Sequence, residues 1–225
     1  YIPRYRISRR TISEVLDWLK LPVLPGDKAV ANYDEDSLTM GVAASMNCIK
    51  RSDQRKIEGI YFATTTAPYR EKENAVITAA VLGLPSNTRT TDFTNSLKTG
   101  TEALVHACES IEAKGVESIL VCASDCRLGK PGSYTEMVIG DGAGALLVGQ
   151  EQVIASLECS YSISYDFPDY RRSEYDRFVS SVENRFIQQQ GYGTFIAEAI
   201  SGLFKKYGLR ARDFAKVAYP CLYHD

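Results

Sequence analysis

The chain has 225 residues, of which 44% are hydrophobic and 24% charged, an ordinary globular composition. Its 26 Lys and Arg residues against 28 Asp and Glu residues give a formal net charge of -2. We therefore expect no nucleic-acid partner, because phosphate backbones are bound by basic surfaces. We also expect no membrane partner, since the longest apolar runs fall far short of the roughly 20 residues that span a bilayer.

The cysteine and histidine content argues against a metal site. The six cysteines contain no C-x-x-C pair of the zinc type, and the chain has only two histidines. Most of the cysteines lie in apolar stretches, where a free thiol behaves as a small hydrophobic side chain. We therefore expect a reduced, cytoplasmic protein without a metal.

Helices and strands alternate along the first half of the sequence. The pattern predicts a helix over residues 14–19 and a second one over residues 38–49, capped by Asp36 or Ser37. A strand rich in β-branched and aromatic residues follows at 57–64. Asn74 is expected to cap the next helix, which Gly83 and Pro85 terminate.

A short strand at residues 90–93 runs directly into a helix whose predicted apolar face is Leu97, Leu104, Cys108 and Ile111. We expect this helix to be the most buried one. Strands are predicted at 118–123, 143–148 and 153–165, then an amphipathic helix at 195–204 and a strand from 217.

This alternation predicts an α/β fold with a mostly parallel sheet covered by helices on both faces. The polar segment at residues 166–190 interrupts the rhythm and is long for a connection. A break near residues 150–153 suggests a first domain over residues 1–150 and a second over residues 151–225.

The glycine cluster at residues 140–145 (GDGAGA) does not predict nucleotide binding. A dinucleotide fingerprint needs G-x-G-x-x-G between a strand and a helix, whereas this cluster reads G-x-G-x-G and leads into a strand. We interpret it as a turn in which glycines let two chain segments approach closely.

The junction at residues 91–101 (TDFTNSLKTGT) places a helix N-terminus directly after a strand. Free N–H groups and the helix dipole favour a nucleophile there. No cysteine is present, and Ser96 is either a helix cap or a nucleophile that lacks a nearby histidine.

This junction, the run at residues 120–125 (LVCASD) and the glycine turn together resemble the thiolase superfamily. The resemblance is strongest to 3-hydroxy-3-methylglutaryl-coenzyme A synthases of the archaeal type. It extends over essentially the whole chain, from residues 2–7 (IPRYRI) through residues 168–172 (PDYRR) to residues 206–214. It implies a layered αβαβα fold of two similar halves, the second incomplete in this chain.

The resemblance also implies a chemistry. Family members transfer an acyl group from coenzyme A to a cysteine and form a carbon–carbon bond with the help of a glutamate and a histidine. In this chain the cysteine position is Leu97, the glutamate position is Thr65 and the histidine position is Pro220. We expect Leu97 to fill the buried end of a narrow acyl tunnel. All three replacements lack the required chemistry.

Three residues remain as weak alternatives. Ser96 and Cys126 are candidate nucleophiles, and His224 could supply the base if the register shifted by four residues. The resemblance therefore favours a non-catalytic structural or regulatory subunit, assembled as a homo- or hetero-oligomer with a thiolase-like subunit. Two alternatives stay open: an acyltransferase with a displaced or partner-supplied nucleophile, and a module that binds an acyl-coenzyme A without reacting. In each case coenzyme A thioesters are the expected ligand, with no covalent cofactor.

Overall fold

The computed structural model describes residues 1–16 and 23–218. The described chain forms two compact units, Tyr1–Ser156 and a second from Leu157 onward. The first unit contains β1 (Tyr5–Ser8), α1 (Arg9–Val15), β2 (Asp27–Val30), α2 (Ser37–Ile49), β3 (Gly59–Ala63), α3 (Asn74–Val81), β4 (Arg89–Phe93), α4 (Thr99–Glu112), β5 (Ser118–Asp125), α5 (Tyr134–Val138) and β6 (Gly142–Gly149).

The central sheet of the first unit has the strand order β4-β3-β5-β6. β3 pairs in parallel with β4 on one side and with β5 on the other, while β6 pairs antiparallel to β5. The carboxyl ends of three strands therefore meet at one edge of the sheet. The start of β6 joins them there, because Gly142 lies opposite Asp125.

Helices cover both faces of this sheet. On one face α2 and α3 pack against Ile60 and Phe62 of β3 and against Leu120 and Cys122 of β5. On the other face Ala103, Ala107 and Ile111 of α4 pack against Ile119 and Val121 of β5. Successive β5 residues point to opposite faces, as strand geometry requires. The predicted α/β architecture with a mostly parallel sheet is therefore confirmed.

Two helix starts depend on carboxylates and hydroxyls. Asp36 caps α2, as predicted, and forms a reciprocal capping box with Thr39. α1 begins at Arg9, earlier than predicted, because Ser8 accepts a hydrogen bond from the Thr11 N–H. The end of that predicted helix, residues 17–19, lies outside the described residues.

The start and the buried face of α4 differ from the prediction. Leu97 precedes the helix, which begins at Thr99 and buries Thr99, Ala103, Ala107 and Ile111. The buried face thus consists largely of small side chains, and Leu104 and Cys108 are only half-buried. The expectation that this helix is the most buried one is also wrong. α2 buries seven of its 13 residues, whereas α4 buries four of its 14, because α2 packs against both the sheet and α3.

The second unit contains a short hairpin of β7 (Tyr170–Arg171) and β8 (Ser180–Ser181), α6 (Asn184–Phe186), a π-helical segment (Ile187–Tyr192) and α7 (Gly193–Tyr207). α7 matches the predicted amphipathic helix. No strand forms over residues 153–165, where one was predicted. This segment pairs with no described strand, and an extended segment becomes a β-strand only when it forms hydrogen bonds with a neighbouring strand. The predicted strand from residue 217 is not formed at Val217, and its last residue lies outside the described chain.

None of the helices over residues 1–16 and 23–218 has the length and apolar character needed to cross a bilayer.

Candidate functional site

A cleft of about 380 Å³ opens at the carboxyl edge of the central sheet. It is bounded by the end of β3, the end of β5, the start of β6 and the N-terminus of α4. Carboxyl ends of parallel strands are the usual place for a site in α/β proteins, because the loops that follow them converge there. The lining residues are Ala63, Leu97, Thr99, Gly100, Thr101, Ala123, Ser124, Asp125, Gly142, Ala143 and Gly144.

Leu97 lies in this cleft, at the turn that leads into α4. Its side chain is 51% exposed, so it does not fill the closed end of a tunnel as expected. The reason is local: α4 starts two residues later, and Asn95, with φ 69°, reverses the chain just before the turn. Leu97 therefore sits on the wall of an open cleft.

Asp125 organises the other side of the cleft. Its Oδ1 atom accepts hydrogen bonds from the Thr64 hydroxyl at 3.1 Å, the Thr65 hydroxyl at 3.1 Å and the Thr66 hydroxyl at 2.8 Å. The same atom accepts the backbone N–H of Thr65 at 2.7 Å. Four donors on one carboxylate oxygen fix the turn after β3 against the end of β5, since charge-assisted bonds are the stronger kind.

Thr65 thus lies at the same edge of the sheet as Leu97 and is hydrogen-bonded to Asp125, which lines the cleft together with Leu97. Its hydroxyl donates to a carboxylate, and a threonine hydroxyl does not act as a general base near neutral pH. The turn is also anchored from α2, because the Ser37 hydroxyl donates to the Thr66 carbonyl at 2.6 Å.

Ser96 is half-buried and does not line the cleft. Its hydroxyl accepts the Lys98 N–H at 3.3 Å, and its carbonyl accepts the Thr99 N–H at 3.3 Å. The helix cap itself is Lys98, without a side-chain capping bond. Ser96 therefore supports the turn before α4, and no histidine contacts it among the described residues.

Cys126 follows β5 and is also outside the cleft lining. Its N–H donates to the Thr66 hydroxyl at 3.0 Å, and burial raises the pKa of its thiol. An activated nucleophile needs a lowered pKa instead. Burial likewise raises the pKa of Cys48 and Cys108, and it raises the pKa of Cys122 to about 11.

The remaining two predicted positions, Pro220 and His224, lie outside the described residues. Two functional features were not assigned from the sequence. One is the role of Asp125, whose signal is a carboxylate directly after an apolar strand. The other is Thr99, a buried polar residue in the first turn of α4 that lines the cleft.

No family model matches the chain. The chain is, however, similar in sequence to curated proteins. The hydroxymethylglutaryl-CoA synthase of Pyrococcus furiosus is 34% identical over 218 residues, which cover 95% of this chain and 61% of that protein. The hydroxymethylglutaryl-CoA synthase of Pyrobaculum calidifontis is 34% identical over 227 residues, covering 97% of this chain and 64% of that protein. The chain thus spans somewhat less than two thirds of the length of these relatives.

Solved structures show the same fold. A structure of HMG-CoA synthase complexed with CoA has a TM-score of 0.86 at 21% identity, over 96% of this chain and 56% of that chain. The 3-oxoacyl-(acyl carrier protein) synthase III of Pseudomonas aeruginosa has a TM-score of 0.78 at 19% identity, over 95% of this chain and 70% of that chain. Sequence similarity and fold agree: the chain is a hydroxymethylglutaryl-CoA synthase-like member of the thiolase superfamily.

Proposed function

We propose that the chain is a non-catalytic structural or regulatory subunit of a system that joins acyl-CoA units by carbon–carbon condensation. The observation that supports this most directly is Leu97. It lies in the cleft, at the turn before a helix N-terminus, where a transferable acyl group would need a thiol. A leucine side chain forms no thioester.

The other groups in the cleft offer no substitute nucleophile with a base. The lining hydroxyls belong to Thr99, Thr101 and Ser124. The Ser124 hydroxyl donates to the Gly142 carbonyl at 3.5 Å, and no histidine lines the cleft within the described residues. His106 lies on α4, where its ring stacks on Phe93 with a centroid distance of 5.6 Å. Without a base, hydroxyls are weak nucleophiles.

The assembly part of the proposal rests on β4. This strand lies at one edge of the central sheet, and no other described strand pairs with its outer side. An open edge is a template for pairing with another chain. We therefore propose a homo- or hetero-oligomer with a thiolase-like subunit. The five cysteines in the described residues are free thiols, which supports a cytoplasmic location.

A second candidate function is binding of an acyl-coenzyme A without reaction. It is favoured by the cleft, which retains about 380 Å³ at the carboxyl edge of the sheet. A structurally similar HMG-CoA synthase was solved in complex with CoA. Equilibrium titration with coenzyme A tests this candidate: tight binding without an adduct supports it, and no binding leaves the structural or regulatory role.

Intact-mass spectrometry after incubation with acetyl-CoA and acetoacetyl-CoA tests the main proposal. We expect no mass increase and no condensation product. A covalent acetyl adduct would overturn the proposal, and peptide mapping would then locate it at Ser96, Cys126 or another residue. Light scattering coupled to size-exclusion chromatography, with and without a co-expressed thiolase-like subunit, tests the assembly. A stable monomer in both cases would contradict that part.

A further inference from the structure

The end of α7 and the turn that follows it carry a local excess of positive charge. Residues 205–216 contain five basic side chains and one acidic side chain, whereas the whole chain has a formal net charge of -2. We call this segment the basic turn. All five of its basic residues are exposed: Lys205, Lys206, Arg210, Arg212 and Lys216.

The fold of the second unit brings these charges together. Gly208 caps the C-terminus of α7 with φ 67°, the left-handed conformation that reverses the chain. The Leu209 N–H donates to the Phe204 carbonyl at 3.0 Å, and the ring of Phe214 stacks on that of Phe204 with the centroids 5.4 Å apart. The segment after the helix is therefore folded back against the last turn of α7, which gathers the five cations there.

Little of this charge is neutralised within the chain. Arg210 is paired with Asp213 at 3.8 Å, and the ammonium group of Lys206 lies 4.9 Å from the ring centroid of Tyr207. The dipole at a helix C-terminus favours a cation, but it amounts to only about half an elementary charge. Three cations form no ion pair with any described residue: Lys205, Arg212 and Lys216.

The surroundings of these cations favour an acidic protein surface over a small, dense anion. The C-terminus of α7 presents carbonyl oxygens, the negative end of the helix dipole, which disfavours a phosphate at that point. Exposed apolar side chains lie between the cations in sequence, namely Tyr207, Phe214 and Val217. Carboxylates along a partner helix can pair with separate cations while apolar contacts fill the space between them.

We propose that the basic turn docks a helix rich in Asp and Glu on the surface of a partner protein. This interaction goes beyond the proposed function, because the basic turn belongs to the second unit, whereas the cleft and β4 belong to the first. The attraction between exposed charges is screened by salt, so the binding should weaken as the ionic strength rises.

Fluorescence anisotropy of a labelled helical peptide with glutamates along one face tests this surface when the full chain is titrated into the peptide. The same peptide with glutamine in place of glutamate is the neutral control. We expect the glutamate peptide alone to bind, and we expect its affinity to fall at least about tenfold between about 50 mM and about 300 mM salt. Equal binding of the two peptides, or binding of neither, would overturn the proposal.

Charge reversal locates the interaction. Arg212→Glu combined with Lys216→Glu should weaken binding of the glutamate peptide at least about tenfold. Lys50→Glu combined with Arg51→Glu changes the net charge equally at exposed positions of the first unit, and should weaken binding less than about threefold. Equal effects of the two double variants would contradict docking at the basic turn.

Inorganic pyrophosphate distinguishes a protein surface from a phosphate site. We expect it to displace the bound peptide no better than sodium chloride does at the same ionic strength. Complete displacement by pyrophosphate at concentrations where sodium chloride has no effect would show that the basic turn binds phosphate groups instead, and would overturn the proposal.

Discussion

The carboxylate of Asp125 accepts the backbone N–H of Thr65 at 2.7 Å, which ties the end of one central strand to the turn after its neighbour. The bond joins residues that are 60 positions apart in sequence. Because three threonine hydroxyls share the same oxygen, the geometry of this cleft wall depends on one side chain. Asp125 is therefore a structural determinant of the site.

Asp125→Ala should lower the free energy of unfolding by about 2–3 kcal/mol, because it removes a charged acceptor and leaves the buried Thr64 hydroxyl short of a partner. Urea denaturation measures this. Asp34→Ala, at an exposed position, is the matched control and should stay within about 0.5 kcal/mol of the unsubstituted protein. Similar losses in both variants would show that Asp125 does not anchor the turn.

Leu97→Cys should create the most reactive thiol of the described chain. The position is exposed and precedes a helix N-terminus, which favours the thiolate. Burial raises the pKa of Cys108, and that of Cys122 to about 11, so Cys122 is about one part in a thousand thiolate at pH 8. Iodoacetamide labelling followed by peptide mapping should therefore modify position 97 first.

The same variant should not gain condensation activity, because Thr65 supplies no base. An assay with acetyl-CoA and acetoacetyl-CoA measures this. Labelling at position 97 no faster than at Cys108 would argue against its assignment to the nucleophile position. Full synthase activity would reveal a base elsewhere in the chain or on a partner.

The stability of the protein should depend on the titration of Lys28. Burial lowers the pKa of its ammonium group, partly offset by Glu136 and Asp141 and reinforced by Arg9. As the pH rises, the folded state loses this proton before the unfolded state does. The contribution of Lys28 to the free energy of unfolding therefore increases with pH between the lowered pKa of the folded state and the ordinary value of 10.5. Lys28→Met lacks this titrating group, so its free energy of unfolding should fall progressively, relative to that of the parent protein, as the pH rises. Urea denaturation at several alkaline pH values measures the difference, and a constant difference would contradict the prediction.

Gly129→Ala should destabilise the loop before α5. A Cβ at this position would overlap the backbone of Thr135 and Glu136, which cannot move aside as a flexible side-chain end can. We expect a loss of about 2–3 kcal/mol, as for other overpacked sites. Gly144→Ala is the control, since a Cβ there meets no atom within 4 Å. Thermal unfolding compares the two, and equal midpoints would contradict the close approach.

The sequence predicts β3, β5 and β6 of the central sheet well because each is an apolar or β-branched run bounded by turn residues. The prediction is less accurate where packing depends on small side chains. For α4 it selects Leu104 and Cys108, whereas Ala103 and Ala107 are buried. A Cβ on Gly100 would lie 3.2 Å from the Cβ of Ala123, so the helix approaches the sheet too closely for large residues.

Contacts between distant segments explain the other differences. The sequence predicts Asn74 as a cap, but Asn74 is the first residue of α3, and Asp92 of β4 accepts its N–H at 2.7 Å. Nothing local to Asn74 signals a cap from another strand. The three candidate catalytic positions are assigned by resemblance alone, and the structure adds what residue patterns do not contain: the link from Asp125 to Thr65.

Because Leu97 is half-exposed, the residue at position 97 can affect the chemistry of the cleft without affecting the stability of the fold. The packing of α4 is carried by Thr99, Ala103 and Ala107, so the residue at position 97 contributes little buried surface. Selection for a folded protein therefore does not preserve the identity of that residue. Substitutions at position 97 are therefore expected to leave the fold intact, whatever they do to the chemistry of the cleft.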